Sequence, residues 1–169
     1  ISEDDVIKFS KKTSVSEKSS GGVTQLDGVR KITAERLTES YQQTPHIYLV
    51  SEVDMGQSMK VRQDDKQKGS KYSISDMLTK AVSRALAQYP LLNSSLEDNK
   101  IVEHGDINIG FAVDAPRGLM VPVITNTQSK SLKELAAVRA RLVSKAQEGK
   151  LSPDDKKDGT FTISNLGTY

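Results

Sequence analysis

The sequence has no cysteine. A disulfide framework, a thiolate nucleophile and a cysteine-based metal site are therefore excluded, and the chain is compatible with a reducing compartment. Histidine is nearly absent too, with only two residues, His46 and His104, and neither has metal-ligand spacing to a second histidine. An excess of charge of one sign is also missing: 24 Lys and Arg against 22 Asp and Glu leave a net charge of +2. That balance is too even for nucleic-acid binding by bulk electrostatics. No apolar run approaches the roughly 18 residues of a membrane span. The opening ISEDDVIKF lacks the basic-then-apolar pattern of a secretory leader. No glycine motif for dinucleotide or phosphate binding occurs, and no G-x-S-x-G elbow.

What is present is a polar, soluble composition. The 169 residues are 36% hydrophobic and 27% charged, with a mean hydropathy of −0.48. A chain of this length holds one domain with a real core, burying about two-thirds of its unfolded surface. The polar excess is concentrated near the start. Residues 10–24, SKKTSVSEKSSGGVT, are rich in Ser, Lys and Gly without apolar period, and read as a flexible linker. Before it, Ile1, Val6, Ile7 and Phe9 sit among acids, with Ser2 able to cap a short helix and Asp5 at its third position. The compact domain is expected to begin near Gln25.

From there the pattern alternates. Residues 28–42 read as a helix with Val29, Ile32, Leu37 and Tyr41 roughly on one face, ended by Thr44-Pro45. HIYLVSEVD, from His46, alternates as a strand, and residues 63–71 read as a solvated loop or frayed helix end. The clearest helix is 74–88, where Ile74, Met77, Leu78, Ala81, Val82, Ala85 and Leu86 keep helical spacing. Ser73 or Ser75 caps it and Pro90 stops it. A short strand follows at 100–102. Residues 107–113 and 119–125 form a hairpin around the turn chemistry of Asp114 to Gly118, with Pro122 marking an edge or a bulge. A helix at about 132–148 starts with the Ser131/Glu134 capping box and ends at Gly149. Thr160 to Ser164 is a final strand, and Asn165 to Gly167 the turn after it. This order gives an α+β or mixed-sheet sandwich rather than regular βαβ winding.

Residue chemistry alone leaves the function open, and both histidines read as surface or capping residues. Six segments in order change that: VRKITAERLTES, TPHIYLVSEVD, SISDMLTKAVSRALAQYPLLNSSL, NIGFAVDAPRGLMVPVI, SLKELAAVRARLVSKAQEGKL and GTFTISNLG. Together they resemble the catalytic core of the dihydrolipoamide acyltransferases, the E2 components of 2-oxo acid dehydrogenase complexes. The resemblance spans nearly all of residues 25–169. Residues 1–9 look like the end of the peripheral-subunit-binding domain that precedes that core, and 10–24 like the family's linker.

The resemblance implies an α+β fold like that of chloramphenicol acetyltransferase, a mixed sheet flanked by helices, here incomplete at the C-terminus. It implies homotrimers with active sites at subunit interfaces, larger cages built from them, and as partners the decarboxylase (E1) and dihydrolipoamide dehydrogenase (E3), with no nucleic acid and no membrane. The implied compartment is the prokaryotic cytoplasm or the mitochondrial matrix. The implied reaction moves an acyl group from dihydrolipoamide, carried as a lipoyl group on a separate domain, to coenzyme A, with no metal. S-N-L-G and A-V-D-A-P-R-G-L look more like acetyl or branched-chain members than succinyl ones, and acetyl is the expectation. Branched-chain acyl specificity, or a non-catalytic, core-like assembly subunit, is the alternative.

By match to T-I-S-N-L-G, Ser164 is the candidate hydroxyl that stabilises the tetrahedral oxyanion. Arg62, Ser73, Asp114 and Asn165 match positions expected to contact coenzyme A. Without the resemblance they would read as a turn serine, a solvated arginine, a helix cap, a turn aspartate and a turn asparagine. His46 matches a family position but not the family's base. That base lies in a D-H-R-x-x-D-G motif well after S-N-L-G, and this sequence contains no such motif. The expectation is an oxyanion half-site, inactive by itself.

Overall fold

The computed structural model describes residues 22–26, 28–116 and 118–165. The expected peripheral-domain remnant at 1–9 and most of the expected linker at 10–24 lie outside the described residues. The chain divides into two units, Ile1–Gln43 and Thr44–Tyr169. In the first, α1 (Gly28–Gln43) is the only regular element described. It stops before Thr44-Pro45, as the proline rule requires. Its Ile32, Leu37 and Tyr41 are exposed.

The second unit opens with a correction. Residues 44–55 form no strand: Ile47, Tyr48, Leu49, Val50 and Val53 are all exposed and none joins a ladder with the described strands. Alternation gives a strand its faces, but its N–H and C=O groups still need a partner strand. The helix α2 (Gly56–Gln67) follows where only a frayed end was expected. It buries no residue, so no apolar period announced it. Asp54 Oδ1 accepts from the Gly56 N–H at 2.8 Å where it starts.

The helix α3 (Ile74–Gln88) stands where its apolar spacing placed it, but it buries a different face. Asp76, Thr79, Ser83 and Leu86 are buried, while Ile74 and Leu78 are more than a third exposed. A buried polar face is tolerable only if each group is satisfied. Thr79 Oγ1 donates to the Ser75 carbonyl at 2.8 Å, and Ser83 Oγ lies 2.9 Å from Thr127 Oγ1. A 3-10 turn over Pro90–Asn93 leads into β1 (Ser94–Glu97), which pairs antiparallel with β2 (Lys100–Glu103). The strand expected at 100–102 is therefore half of a hairpin.

The expected hairpin across 107–125 forms, in two pieces. The strand β3 (Ile109–Phe111) pairs antiparallel with β6 (Val123–Ile124), and β4 (Val113–Ala115) with β5 (Gly118–Met120). Pro122 stands just before β6, the edge of the three-stranded sheet β6-β3-β7, as a residue without an N–H must. The strand β7 (Phe161–Ile163) joins β3 in parallel, so the sheet is mixed. Gly110 allows the close approach: a Cβ there would lie 2.9 Å from Val121 Cγ1 and 3.3 Å from Thr162 Oγ1. Buried Asn108 ties the sheet's three strands together. Its Nδ2 donates to the Asp158 carbonyl at 2.8 Å, its Oδ1 accepts from the Asn126 N–H at 2.8 Å, and its carbonyl accepts from the Thr160 N–H at 2.8 Å.

The last helix, α4 (Leu132–Gln147), carries the expected Ser131/Glu134 capping box, and Gly149 follows its end with a φ of +68°. Leu86 packs with Ile109 and Ile163, while Leu135 and Leu142 pack with Ile124. Ile109 and Ile124 are register partners, so α3 and α4 cover the same face of the sheet. Below α4, Lys145 Nζ reaches Asp155 Oδ2 at 2.9 Å, and Ser152 donates to that oxygen from both Oγ (2.7 Å) and N–H (2.8 Å). The Ser152 hydroxyl, then Lys145, draw the Asp155 carboxyl down to a pKa of about 2. A carboxylate lowered in the folded state stabilises fully above its unfolded pKa of about 3.9 and loses that contribution as pH falls through the folded value. Urea denaturation is thus expected to show the midpoint dropping between about pH 4 and pH 2. In Asp155→Asn that drop should be smaller, and an identical pH dependence in the variant would refute the assignment.

Candidate active site

The end of β7 is held on one side by backbone. The Ala112 N–H donates to the Ile163 carbonyl at 3.2 Å. Ser164 comes next, exposed, and its side chain makes no hydrogen bond with a described residue. Asn165 then turns back to the body of the unit: its Nδ2 donates to Ser75 Oγ in the first turn of α3 at 3.1 Å. Asn165, Ser75, Thr79 and Arg139 share a cavity of about 180 Å³ between the end of β7 and the two helices.

That first turn is unusually well fixed. Ser73 is the N-cap. Its Oγ accepts from the Asp76 N–H at 3.2 Å and donates to Asp76 Oδ2 at 2.7 Å, and its own N–H donates to the same oxygen at 2.7 Å. From α4, Arg139 grips the same carboxylate with two donors, Nε to Oδ1 at 2.5 Å and Nη2 to Oδ2 at 3.1 Å. Asp76 is 1% exposed and Arg139 24%. Burial pushes the Asp76 carboxyl up, but the hydrogen bonds from Arg139 and Ser73 outweigh it and hold the group below the usual range. The carboxylate therefore stays ionised and paired.

On the chain leading into α3 lies a basic concavity. Arg62, Lys66, Lys71 and Ser73 line a space of about 460 Å³, and a second of about 540 Å³ adjoins it across Gly69–Tyr72, adding Lys68 and Lys133. Arg62 is half-buried, and its Nε is buried without a hydrogen-bond partner. None of Arg62, Lys66, Lys71 and Lys133 is ion-paired with a carboxylate among the described residues; Lys68 alone meets Asp65, at 3.8 Å. Cations left unpaired around one hollow are a receptor for a multiply charged anion such as a phosphate ester.

Of the five residues singled out by sequence, the structure brings four to one end of α3. Ser73 and Arg62 share the basic concavity; Asn165 touches Ser75, two residues on from Ser73; and Ser164 precedes Asn165. The Ser73 hydroxyl is engaged in the helix cap. Asp114 is placed differently from its expected turn: it is a strand residue in β4, exposed, opposite Leu119. Its carbonyl accepts from Gln147 Nε2 at 2.6 Å. His46 lies in the exposed segment before α2. Among the described residues no three His, Asp or Glu side chains gather as a metal site. No helix among them is long and apolar enough to cross a membrane.

Two participants were not read as site residues from the sequence: Arg139, and Ser75, which was read only as a possible helix cap, a place that Ser73 takes. Arg139 carried a signal. It lies on the stripe Leu135, Arg139, Leu142, Ala146, whose other members are buried, and a charge on a buried stripe demands a buried partner. Ser75 carried none beyond its place in a first turn.

A sequence profile described as "2-oxoacid dehydrogenases acyltransferase (catalytic domain)" matches residues 19–169. The chain belongs to this acyltransferase family. It is 40% identical over 152 residues to the dihydrolipoyllysine-residue acetyltransferase component of the mitochondrial pyruvate dehydrogenase complex of Dictyostelium discoideum, covering 88% of this chain and 24% of that protein. Its fold is similar to a dihydrolipoamide acetyltransferase of Azotobacter vinelandii, with TM-score 0.78 and 34% identity over 88% of this chain and 65% of the other. In that protein the roles of a serine, a histidine and an asparagine in the catalytic mechanism were investigated. The cubic core of a pyruvate dehydrogenase multienzyme complex aligns equally well, with TM-score 0.78 and 36% identity, over 88% of this chain and 65% of that one. The acyltransferase chain thus spans about a quarter of the length of the curated relative and about two-thirds of each solved core chain. Its α+β architecture with a mixed sheet is that of these catalytic cores.

Proposed function

We propose that this acyltransferase chain supplies the acceptor-binding and oxyanion-stabilising parts of a site that transfers an acetyl group from dihydrolipoamide to coenzyme A within a 2-oxo acid dehydrogenase complex. One observation carries the reading. Ser164 stands at the end of a strand pinned to the N-terminal turn of α3, and the same turn borders a hollow lined by the unpaired cations Arg62, Lys66 and Lys71. A long phosphorylated thiol needs both: cations for its phosphate end and a hydroxyl donor where its sulfur reacts. The acetyltransferase names of the relatives support acetyl as the acyl group. A serine named in the catalytic mechanism of the similar Azotobacter protein fits a role for a serine in this chain's reaction.

The chemistry is a thioester exchange. A histidine supplied outside these residues removes the proton from the coenzyme A thiol. The thiolate forms a bond to the acyl carbon, and the carbonyl π electrons move to oxygen. Ser164 Oγ–H donates to that oxyanion. Collapse breaks the bond to the dihydrolipoyl sulfur, which leaves as thiolate and takes the proton back. Arg62 binds the acceptor's phosphate. Ser73 holds the rim of its hollow through the helix cap, Asn165 sets the direction of the chain after Ser164, and Asp114 contacts the acceptor from β4. The lipoyl group arrives on a separate domain; the homotrimer and the decarboxylase and dihydrolipoamide dehydrogenase partners are those the family resemblance implies, and the similarity to a cubic core supports the larger cage. Work in the prokaryotic cytoplasm or the mitochondrial matrix fits the same reading.

Isothermal calorimetry tests the acceptor site. Arg62→Ala is expected to weaken coenzyme A binding about 10- to 100-fold, the worth of a hydrogen bond to a charged group. Affinity for dephosphorylated pantetheine should stay unchanged. Equal coenzyme A affinity in variant and parent would overturn the assignment.

A further inference from the structure

The structure assigns Ser75 as a positioning residue for Ser164, acting through the carboxamide of Asn165. This rests on the proposed role of Ser164 as oxyanion donor. Ser164 follows a strand only three residues long, and an exposed residue one step past a short strand is free to swing. Two ties bracket it. On the N-terminal side the Ala112 N–H holds the Ile163 carbonyl at 3.2 Å. On the C-terminal side Asn165 Nδ2 donates to Ser75 Oγ at 3.1 Å, a contact spanning 90 residues of sequence. Without the second tie, Ser164 would lose its link to the first turn of α3.

The tie is worth making because its anchor does not move. Ser75 occupies the second position of α3, directly before Asp76, whose carboxylate is gripped by Arg139 and by both donors of Ser73. The Ser75 backbone is engaged as well, its carbonyl accepting from Thr79 Oγ1 at 2.8 Å. Rigidity therefore passes from a buried ion pair joining two helices, through one hydroxyl, to the residue beside the reacting group. An oxyanion donor must be aimed before the oxyanion forms, because a donor that has to reorient loses its advantage.

The test uses the full-length acyltransferase with its histidine-bearing segment, in acyl transfer to coenzyme A. Ser75→Ala removes the acceptor of one hydrogen bond and is expected to lower kcat about 3- to 10-fold, with KM for both substrates within twofold of the parent. Ser75→Thr, which keeps the hydroxyl, should restore kcat. Asn165→Ala should cost at least as much as Ser75→Ala, and the double variant no more than Asn165→Ala alone, since Ser75 acts through Asn165. An unchanged kcat in Ser75→Ala, or additive losses in the double variant, would overturn the inference. Ser164→Ala separates the levels. If it costs little, the oxyanion reading itself fails; if it costs much while Ser75→Ala costs nothing, only the positioning role fails.

Discussion

Ser164→Ala is expected to lower kcat about 10²- to 10³-fold in the full-length acyltransferase while leaving KM for coenzyme A within a few-fold. The argument is one of difference between states. A thioester carbonyl carries little charge before attack and a nearly full charge in the tetrahedral intermediate, so a hydroxyl aimed at that oxygen strengthens mainly in the transition state. Removing it raises the barrier and leaves binding almost untouched. Ser164 suits the role physically: it is exposed, its hydroxyl is not engaged by a described residue, and its flanks are tied to Ala112, just past β3, and to α3. Steady-state kinetics on purified enzyme reads the result. A loss in kcat below about threefold would remove Ser164 from the chemistry, and a rise in KM without a fall in kcat would make it a binding residue instead.

The second large effect is on stability. Arg139→Ala takes the cation away from an Asp76 carboxylate that is only 1% exposed in the folded chain. Breaking one side of a buried pair typically costs about 3–5 kcal/mol, because the remaining charge has lost water and partner alike. At roughly 2–4 °C per kcal/mol for a chain of this size, the melting temperature should fall by about 6–20 °C. Ser73 still donates twice to Asp76, which places the loss toward the lower end of that range. Replacing both partners with apolar residues, Asp76→Leu with Arg139→Met, should recover much of the loss. Thermal melts of the single and double variants decide it. A single variant that melts within 2 °C of the parent would mean the pair contributes no net stability.

The legible parts of this chain were those written in local pattern. Helix α4 was readable at both ends, because Ser131 and Glu134 cap its start within three residues of each other and Gly149 directly follows its end. The hairpin around β3 and β6 was readable because turn residues and β-branched runs sit side by side. Helix α2 was not, since a helix that buries nothing carries no apolar period. The stretch Ile47 to Val53 failed in the opposite sense: its alternation is real, but a ladder is a property of two segments and none of the described strands pairs with it. In α3 the apolar spacing located the helix and missed its buried face, because Asp76 and Ser83 are satisfied by Arg139 and Thr127, far along the chain, and Thr79 by the Ser75 carbonyl of its own helix.

The same division runs through the site. By itself the sequence determined the family, through six ordered segments, and with it the candidates Ser164, Arg62, Ser73, Asp114 and Asn165. It also determined where α3 and α4 lie and how α4 is capped, since capping needs only side chains three residues apart, while it left the cap of α3 between Ser73 and Ser75. Only the tertiary structure decided that Asp76 is an ion-paired buried carboxylate and that Ser75 carries Asn165. It alone gathered Arg62, Lys66 and Lys71 around one hollow and moved Asp114 from a turn to a strand. Arg139 and Asp76 are 63 residues apart, and Asn165 and Ser75 are 90. Hydrogen bonds and ion pairs act over about 3 Å, so which distant side chains meet is set by how the helices pack on the sheet, a geometry that no local pattern encodes.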